Sequence, residues 1–458
     1  MAPFDYIKPP TIATSIPYPI EMFGENQRKL KEIKVVIVDL LQTIASMLVD
    51  EKVVGNNLEN FVFEFTKEYI GEGQRVYGNL TSADWFRKVQ DDVRGIWGHD
   101  VFVLALNISS DKTTADRLQG LTIWPCYVTI MNLKGNIRRT KLGSEIIGYC
   151  GFVPYSKDQL KQLLNKLGIK KDIHNAIRIL KRYIEQQFFE ILLKQVQEME
   201  KTGPILLRVG NKNSELHRVE RFMVKICCYV SDNEGSKQCS GCKHSSTRMP
   251  CRVCEIKKKH LMKSDISEEV LRDSESYNHF LKEAFPAYCA SLRSYGNRDL
   301  TRRQLRVLEL CEEYSLQPIM PAFNKLEPSY PGHSAYRRYT HDSLHTLLGL
   351  LEFWAQMVIT IVDKIAKIDV RYTHAIANLE EMIIRFPEKH SMPFRVKRFR
   401  KGLSSIFPGL DGNANNTSKT TGYGQAIGMI DNKDVPSLVL QIILCKRYYT
   451  FRMRYICF

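Results

Sequence analysis

Two aspartates, Asp111 and Asp232, each close a long apolar run, Val101–Ser110 in the first case and Phe222–Ser231 in the second. Carboxylates held at rigid chain ends can share divalent ions such as Mg2+ or Mn2+, and paired ions of that kind support phosphodiester cleavage. Taken singly, Asp111 reads better as a turn aspartate following a strand, and Asp232 has the same competing reading. Their matching positions give the pair its chemical meaning. Glu234 reads as a solvent-facing neighbour. A second constellation is Cys239-x-x-Cys242 with Cys251-x-x-Cys254, a spacing that can put four thiolates on one tetrahedral Zn2+. Lys243 and Arg252 would offset the thiolate charge, and His244 or His260 could replace one cysteine; free thiols or a redox pair are the competing readings. Asp342-Ser343-Leu344-His345, ahead of Gly349, is either a helix N-cap with a packed histidine or an additional contribution to a metal or DNA site.

These side chains need elements to position them. Val101–Ser110 is rich in Val, Leu and Ile and predicts a buried strand. Residues 123–132 and 144–152 predict two more, joined by links short enough for hairpins. A long helix should follow, with Ile173, Ile177, Leu180, Ile184, Phe188, Leu192, Val196 and Met199 recurring mainly at spacings of three and four. Asp172 can cap its start and Gly203 its end. Residues 205–210 suggest an extra strand, and the run ending at Ser231 is the fourth core strand. The order β-β-β-α-β, with acids after the first and fourth strands, predicts an α/β chain with a ribonuclease H-like core. In such a core those two strands are parallel neighbours. The expected organisation is a mostly helical region over 1–100, the core over 101–235, a zinc knuckle insertion over 236–262 and a helical region over 263–458. Residues 1–30 read as irregular, Ser82 as a helix N-cap, and Leu347–Val362 as a buried helix too short and too interrupted to span a membrane.

The chain has 458 residues, a 44% hydrophobic content sufficient for a large core, and a formal charge of +16. That surplus favours a polyanionic partner, nucleic acid above all. Basic clusters interleaved with aromatic residues suit contacts to a DNA backbone, with Arg138, Arg139, Arg398 and Arg400 as candidates. No secretory signal is read at the start, and twelve cysteines without one favour metal ligation over disulfides.

Several blocks, in order, resemble fungal transposases of the CACTA superfamily, the Plavaka type. They are Gly73–Gly78 with Ser82–Phe86; Asp111-Lys112-Thr113; Trp124-Pro125-Cys126-Tyr127-Val128-Thr129-Ile130-Met131-Asn132; Gly148-Tyr149 with Pro154; Ser231–Gly235 with Pro250–Cys254; and Asp342–His345. The resemblance covers about residues 60–365. It implies a nuclear protein acting on transposon ends, with a ribonuclease H-like fold, an Asp-Asp-Glu/Asp triad and divalent metal, and it matches Asp111 and Asp232 to the first two acids. The third acid is unassigned: Glu352, Glu380 and Glu381 match no block. Family members are usually longer, so a truncated copy is expected, with metal-dependent DNA binding and weak or absent cleavage. The alternative is an inactive DNA- or chromatin-binding protein, or a zinc-stabilised protein-interaction module, on the same scaffold. Homo-oligomerisation is left open.

Overall fold

All but two residues of Val101–Ser110 are buried, and a run of that length hidden on both faces requires covering layers on either side of its sheet. The structure, a computed structural model, describes residues 11–341 apart from 56–57, 71–72, 77, 111–112, 115–121, 151–152, 171, 212–216, 232, 244–246, 259–269 and 295–298. The chain divides into two compact units, Met1–Asp342 and Ser343–Phe458, and the described residues all belong to the first.

The strands are β1 (Thr11–Ile16), β2 (Ile33–Val38), β3 (Glu68–Ile70), β4 (Gln74–Val76), β5 (Val101–Ser110), β6 (Thr113–Thr114), β7 (Thr122–Ile130), β8 (Ser144–Cys150), β9 (Ile205–Val209), β10 (Arg218–Ser231) and β11 (Tyr339–His341). Among the described residues, one sheet runs in the order β1-β2-β8-β7-β5-β10-β11, with β6 on β7 and β9 on β10; β3 and β4 form a separate hairpin. Most of its pairs are antiparallel. The exceptions are β5 with β10 and β10 with β11, which are parallel. A parallel neighbour needs a long crossover. Between β8 and β10 this includes the helices Lys157–Lys166 and Ile173–Thr202.

The thirty-residue helix Ile173–Thr202 buries Ile177, Leu180, Ile184, Phe188, Leu192 and Val196, as its periodicity predicts. It meets the sheet where the Phe189 ring lies 5.5 Å edge-on from that of Tyr229 on β10. Gly203 ends it with φ 101°, and a Cβ there would come within 2.9 Å of the Trp97 ring, so backbone conformation and packing both call for glycine.

Three local expectations are corrected. Asp172 precedes the helix in a left-handed conformation, and its side chain makes no capping bond. Ser82 lies in a short 3-10 turn, bonding back to Asn79, and the helix Asp84–Trp97 starts after Ala83. Residues 1–30 are not all irregular: Thr11–Ile16 pairs with Ile33–Val38, which continues the sheet through β8. The alternating burial of Ile33, Val35 and Ile37 is the period-2 signal that the helical reading of residues 31–100 passed over.

Candidate catalytic edge and cysteine module

The parallel pair β5–β10 was expected, and it fixes which strand ends stand together. Val230 pairs with Ser109, and the strands finish at Ser231 and Ser110, both buried. Asp232 and Asp111 follow these residues directly in the chain and lie outside the described residues. A third strand reaches the same edge. β11 runs parallel to β10 with Ser231 opposite His341, and Asp342, also outside the described residues, comes next in sequence.

A β-bulge in β10 sets this alignment. Ile226 faces Leu106, but Cys228 faces Asn107, so Cys227 is the extra residue. Beyond it the two strands advance in step: four positions past Cys228 is Asp232, and four past Asn107 is Asp111.

The residues of the motif blocks hold this edge from behind. Asn132 is fully buried, and its side-chain amide donates to the carbonyls of Val62 (2.9 Å) and Val103 (3.0 Å) while its oxygen accepts from the Ala105 N–H (2.9 Å). It therefore ties β5 to the segment entering the sheet. The Ser110 hydroxyl donates to the Pro125 carbonyl at 3.0 Å, fixing the last residue of β5 to β7. Arg75 binds Asp84 Oδ1 at 2.9 Å and the Ser82 carbonyl at 3.0 Å, joining the hairpin β3–β4 to the start of the helix Asp84–Trp97.

Arg138 and Arg139 differ. Arg138 is half-buried. Its guanidinium donates to Asn79 Oδ1 at 2.9 Å, lies in electrostatic range of Cys227 and Cys228, and has its pKa lowered by burial. Arg139 is exposed. Arg398, Arg400 and His345 lie outside the described residues.

The four cysteines of the module are described, and they divide. Cys239, at the end of the helix Asn233–Cys239, is buried against the sheet, where its charged neighbours are Glu185 and Arg182 and burial raises its pKa. Cys242 and Cys251 stand near the buried guanidiniums of Arg252 and Arg272. The Cys254 side chain hydrogen-bonds to Cys251 and brings its thiol down to about 5, against the opposing effect of burial. Arg252 Nε donates to the Tyr339 carbonyl of β11 at 2.7 Å, and Arg272 donates to the carbonyls of Cys251 (2.9 Å), Tyr314 (2.8 Å) and Met249 (3.2 Å). The module is thus bonded to β11 and to the helical segments through backbone carbonyls. Among the described residues, no three His, Cys, Asp or Glu side chains converge as ligands of one ion. The guanidiniums near Cys242 and Cys251 suit thiolate, whereas Cys239 is surrounded by core residues. His244 and His260 lie outside the described residues.

One feature escaped sequence reasoning. His333 is buried, and burial, together with nearby Arg338, Arg337 and Lys88, pushes its pKa down to about 3. No periodic pattern marks it, because it sits in the irregular segment before β11. Among the described residues no helix is long and apolar enough to cross a membrane.

No curated protein matches the chain. A family model described as Plavaka transposase matches residues 7–351, well over half of the sequence and inclusive of every strand end described above. The chain belongs to the Plavaka transposase family.

Proposed function

We propose that this protein is a transposase-derived, nuclear DNA-binding protein with a ribonuclease H-like core, whose catalytic carboxylates are Asp111, Asp232 and Asp342. The observation that carries the reading is the register at one sheet edge. Ser110, Ser231 and His341 end three neighbouring parallel strands, and an aspartate follows each of them in the chain. The strand order β8-β7-β5-β10-β11, with only its last two pairings parallel, supports the ribonuclease H-like assignment. Asp342 is then the candidate for the third acid that sequence reading left unassigned.

A divalent ion such as Mg2+ or Mn2+, when bound by these carboxylates, would activate water or a 3′-hydroxyl and stabilise the oxygen leaving phosphorus. The acids hold and orient at the edge, and the buried ties of Asn132 and Ser110 keep β5 from shifting beneath them. The +16 charge retains DNA, with Arg139 as an exposed backbone contact. Cleavage followed by strand transfer at transposon ends is the resulting activity.

Zinc in the cysteine module is part of the same proposal. Its candidate ligands are Cys239, Cys242, Cys251 and Cys254, with His244 or His260 able to replace one of them; zinc would have to draw these side chains together, and the two buried guanidiniums near Cys242 and Cys251 would offset the thiolate charge. Its role would be to brace the insertion against β11.

The deciding experiment is a nicking assay on DNA in Mg2+ or Mn2+ with Asp111→Asn, Asp232→Asn and Asp342→Asn. Cleavage abolished in all three, with DNA binding kept, is the expected result. Cleavage unaffected by Asp342→Asn would remove that residue from the site, and binding without any cleavage would favour an inactive DNA-binding copy.

A further inference from the structure

Adjacent residues in a regular strand point to opposite faces of the sheet. Cys227 and Cys228 do not: the bulge turns both sulfurs together, and they lie 3.5 Å apart. Cys227 Sγ contacts the Leu106 carbonyl at 3.1 Å, and Cys228 Sγ contacts Asn107 Oδ1 at 3.3 Å, so both are fixed to β5. Cys227 is buried, whereas Cys228 is partly exposed and is the sulfur a reagent meets first. The Arg138 guanidinium lies in electrostatic range of the pair and would offset negative charge arising there.

The spacing resembles the bite of two sulfurs on one centre. Two bonds of ~2.3 Å to one centre, meeting at an angle between the about 90° of a pyramidal trivalent centre and the about 110° of a tetrahedral one, separate their sulfurs by about 3.3–3.8 Å. A disulfide is the poorer outcome, because neighbouring Cα atoms in a trans chain stand ~3.8 Å apart, below the usual disulfide range of about 4.4–6.8 Å.

We propose that Cys227 and Cys228 form a vicinal dithiol site for a thiophilic trivalent metalloid that bonds two sulfurs. With an organoarsenic(III) oxide, two As–S bonds form, the As=O bond and both S–H bonds break, and one water leaves. Arsenic remains trivalent, so the step needs no oxidant or reductant. The site is separate from the Cys251–Cys254 pair, and it occupies the bulge that brings β5 and β10 into step.

The test uses the full chain and phenylarsine oxide. The native protein is treated, freed of excess reagent, denatured into iodoacetamide and digested with trypsin. The peptide Ile226–Lys237 contains Cys227 and Cys228 and no other cysteine. It should carry one bridging phenylarsenic group and no alkylation. In Cys228→Ser, a change at the partly exposed position, the bridge should vanish and Cys227 should be alkylated. Two alkyl groups and no arsenic on the wild-type peptide would overturn the proposal without reference to folding of any variant. So would arsenic retained by Cys228→Ser, which would mean capture by a single sulfur. Neither readout depends on DNA cleavage.

Discussion

Ser231 at the end of β10 stands opposite His341 at the end of β11, on the edge of β10 that does not pair with β5. β10 is therefore flanked by parallel strands on both sides where it ends, and Asp232 is the middle of three acids in the proposed site. Substituting Asn for Asp111, Asp232 or Asp342 should each lower nicking by at least about 100-fold, since residues that merely support metal ligands already cost roughly 10–100-fold. Gel-shift affinity at constant salt should stay near wild type. A nicking rate in Asp342→Asn equal to wild type would separate β11 from the chemistry.

Asn132 satisfies three buried backbone groups with one side chain. Asn132→Ala leaves the Ala105 N–H and two carbonyls without it. Each buried group so orphaned costs about 1–3 kcal/mol. Chemical denaturation should show a loss of at least about 2 kcal/mol, and an unchanged midpoint would show that Asn132 is not the tie described here.

His333 makes stability depend on pH in a defined window. Its folded pKa is about 3 against 6.5 for the ordinary side chain, because burial and three nearby cations disfavour the imidazolium. Between those values the unfolded chain binds the extra proton, so stability rises with pH. The contribution is fully present above about pH 6.5 and is lost as pH falls toward 3, by an amount on the order of a few kcal/mol. His333→Gln should flatten this part of the stability–pH curve measured by urea denaturation. A curve parallel to wild type would assign the acid sensitivity elsewhere.

The divided cysteines give a graded zinc test. Purified protein should contain about one zinc per chain, and Cys242→Ser, Cys251→Ser and Cys254→Ser should lose it by elemental analysis. Cys239→Ser decides the remaining place: loss of zinc makes Cys239 the fourth ligand, and retention gives that place to His244 or His260. Full zinc content in the Cys251→Ser variant would remove the metal assignment.

Arg138 and Arg139 are adjacent but differently committed. Arg139→Ala should weaken DNA binding and reduce the salt dependence by about 0.9 in slope, the effect of one phosphate contact. Arg138→Ala should lower thermal stability through loss of its bond to Asn79, with the salt slope kept. The reverse pattern would exchange the two roles.

Composition and periodicity determined much of this protein by themselves. The buried run 101–110 had to be a strand, because ten residues rich in Val, Leu and Ile need both faces covered. The thirty-residue helix was legible because its apolar positions repeat at helical spacing, and the parallel pairing of β5 and β10 followed from the crossover between them. Other features depend on contacts between residues distant in the chain. β1 and β2 join the sheet through pairing with β8, more than a hundred positions away, which no local pattern encodes. The same holds for β11: three residues are too few to show a period, and Tyr339–His341 is a strand because β10 offers it an open edge. Asn132 looked like a motif residue and proved to be a tie, since only the fold brings Val62, Val103 and Ala105 around it. The bulge at Cys227 is the sharpest case. Nothing in Ile226-Cys227-Cys228 announces an extra residue, yet that residue advances β10 by one position against β5 and thereby brings the ends of the two strands into step.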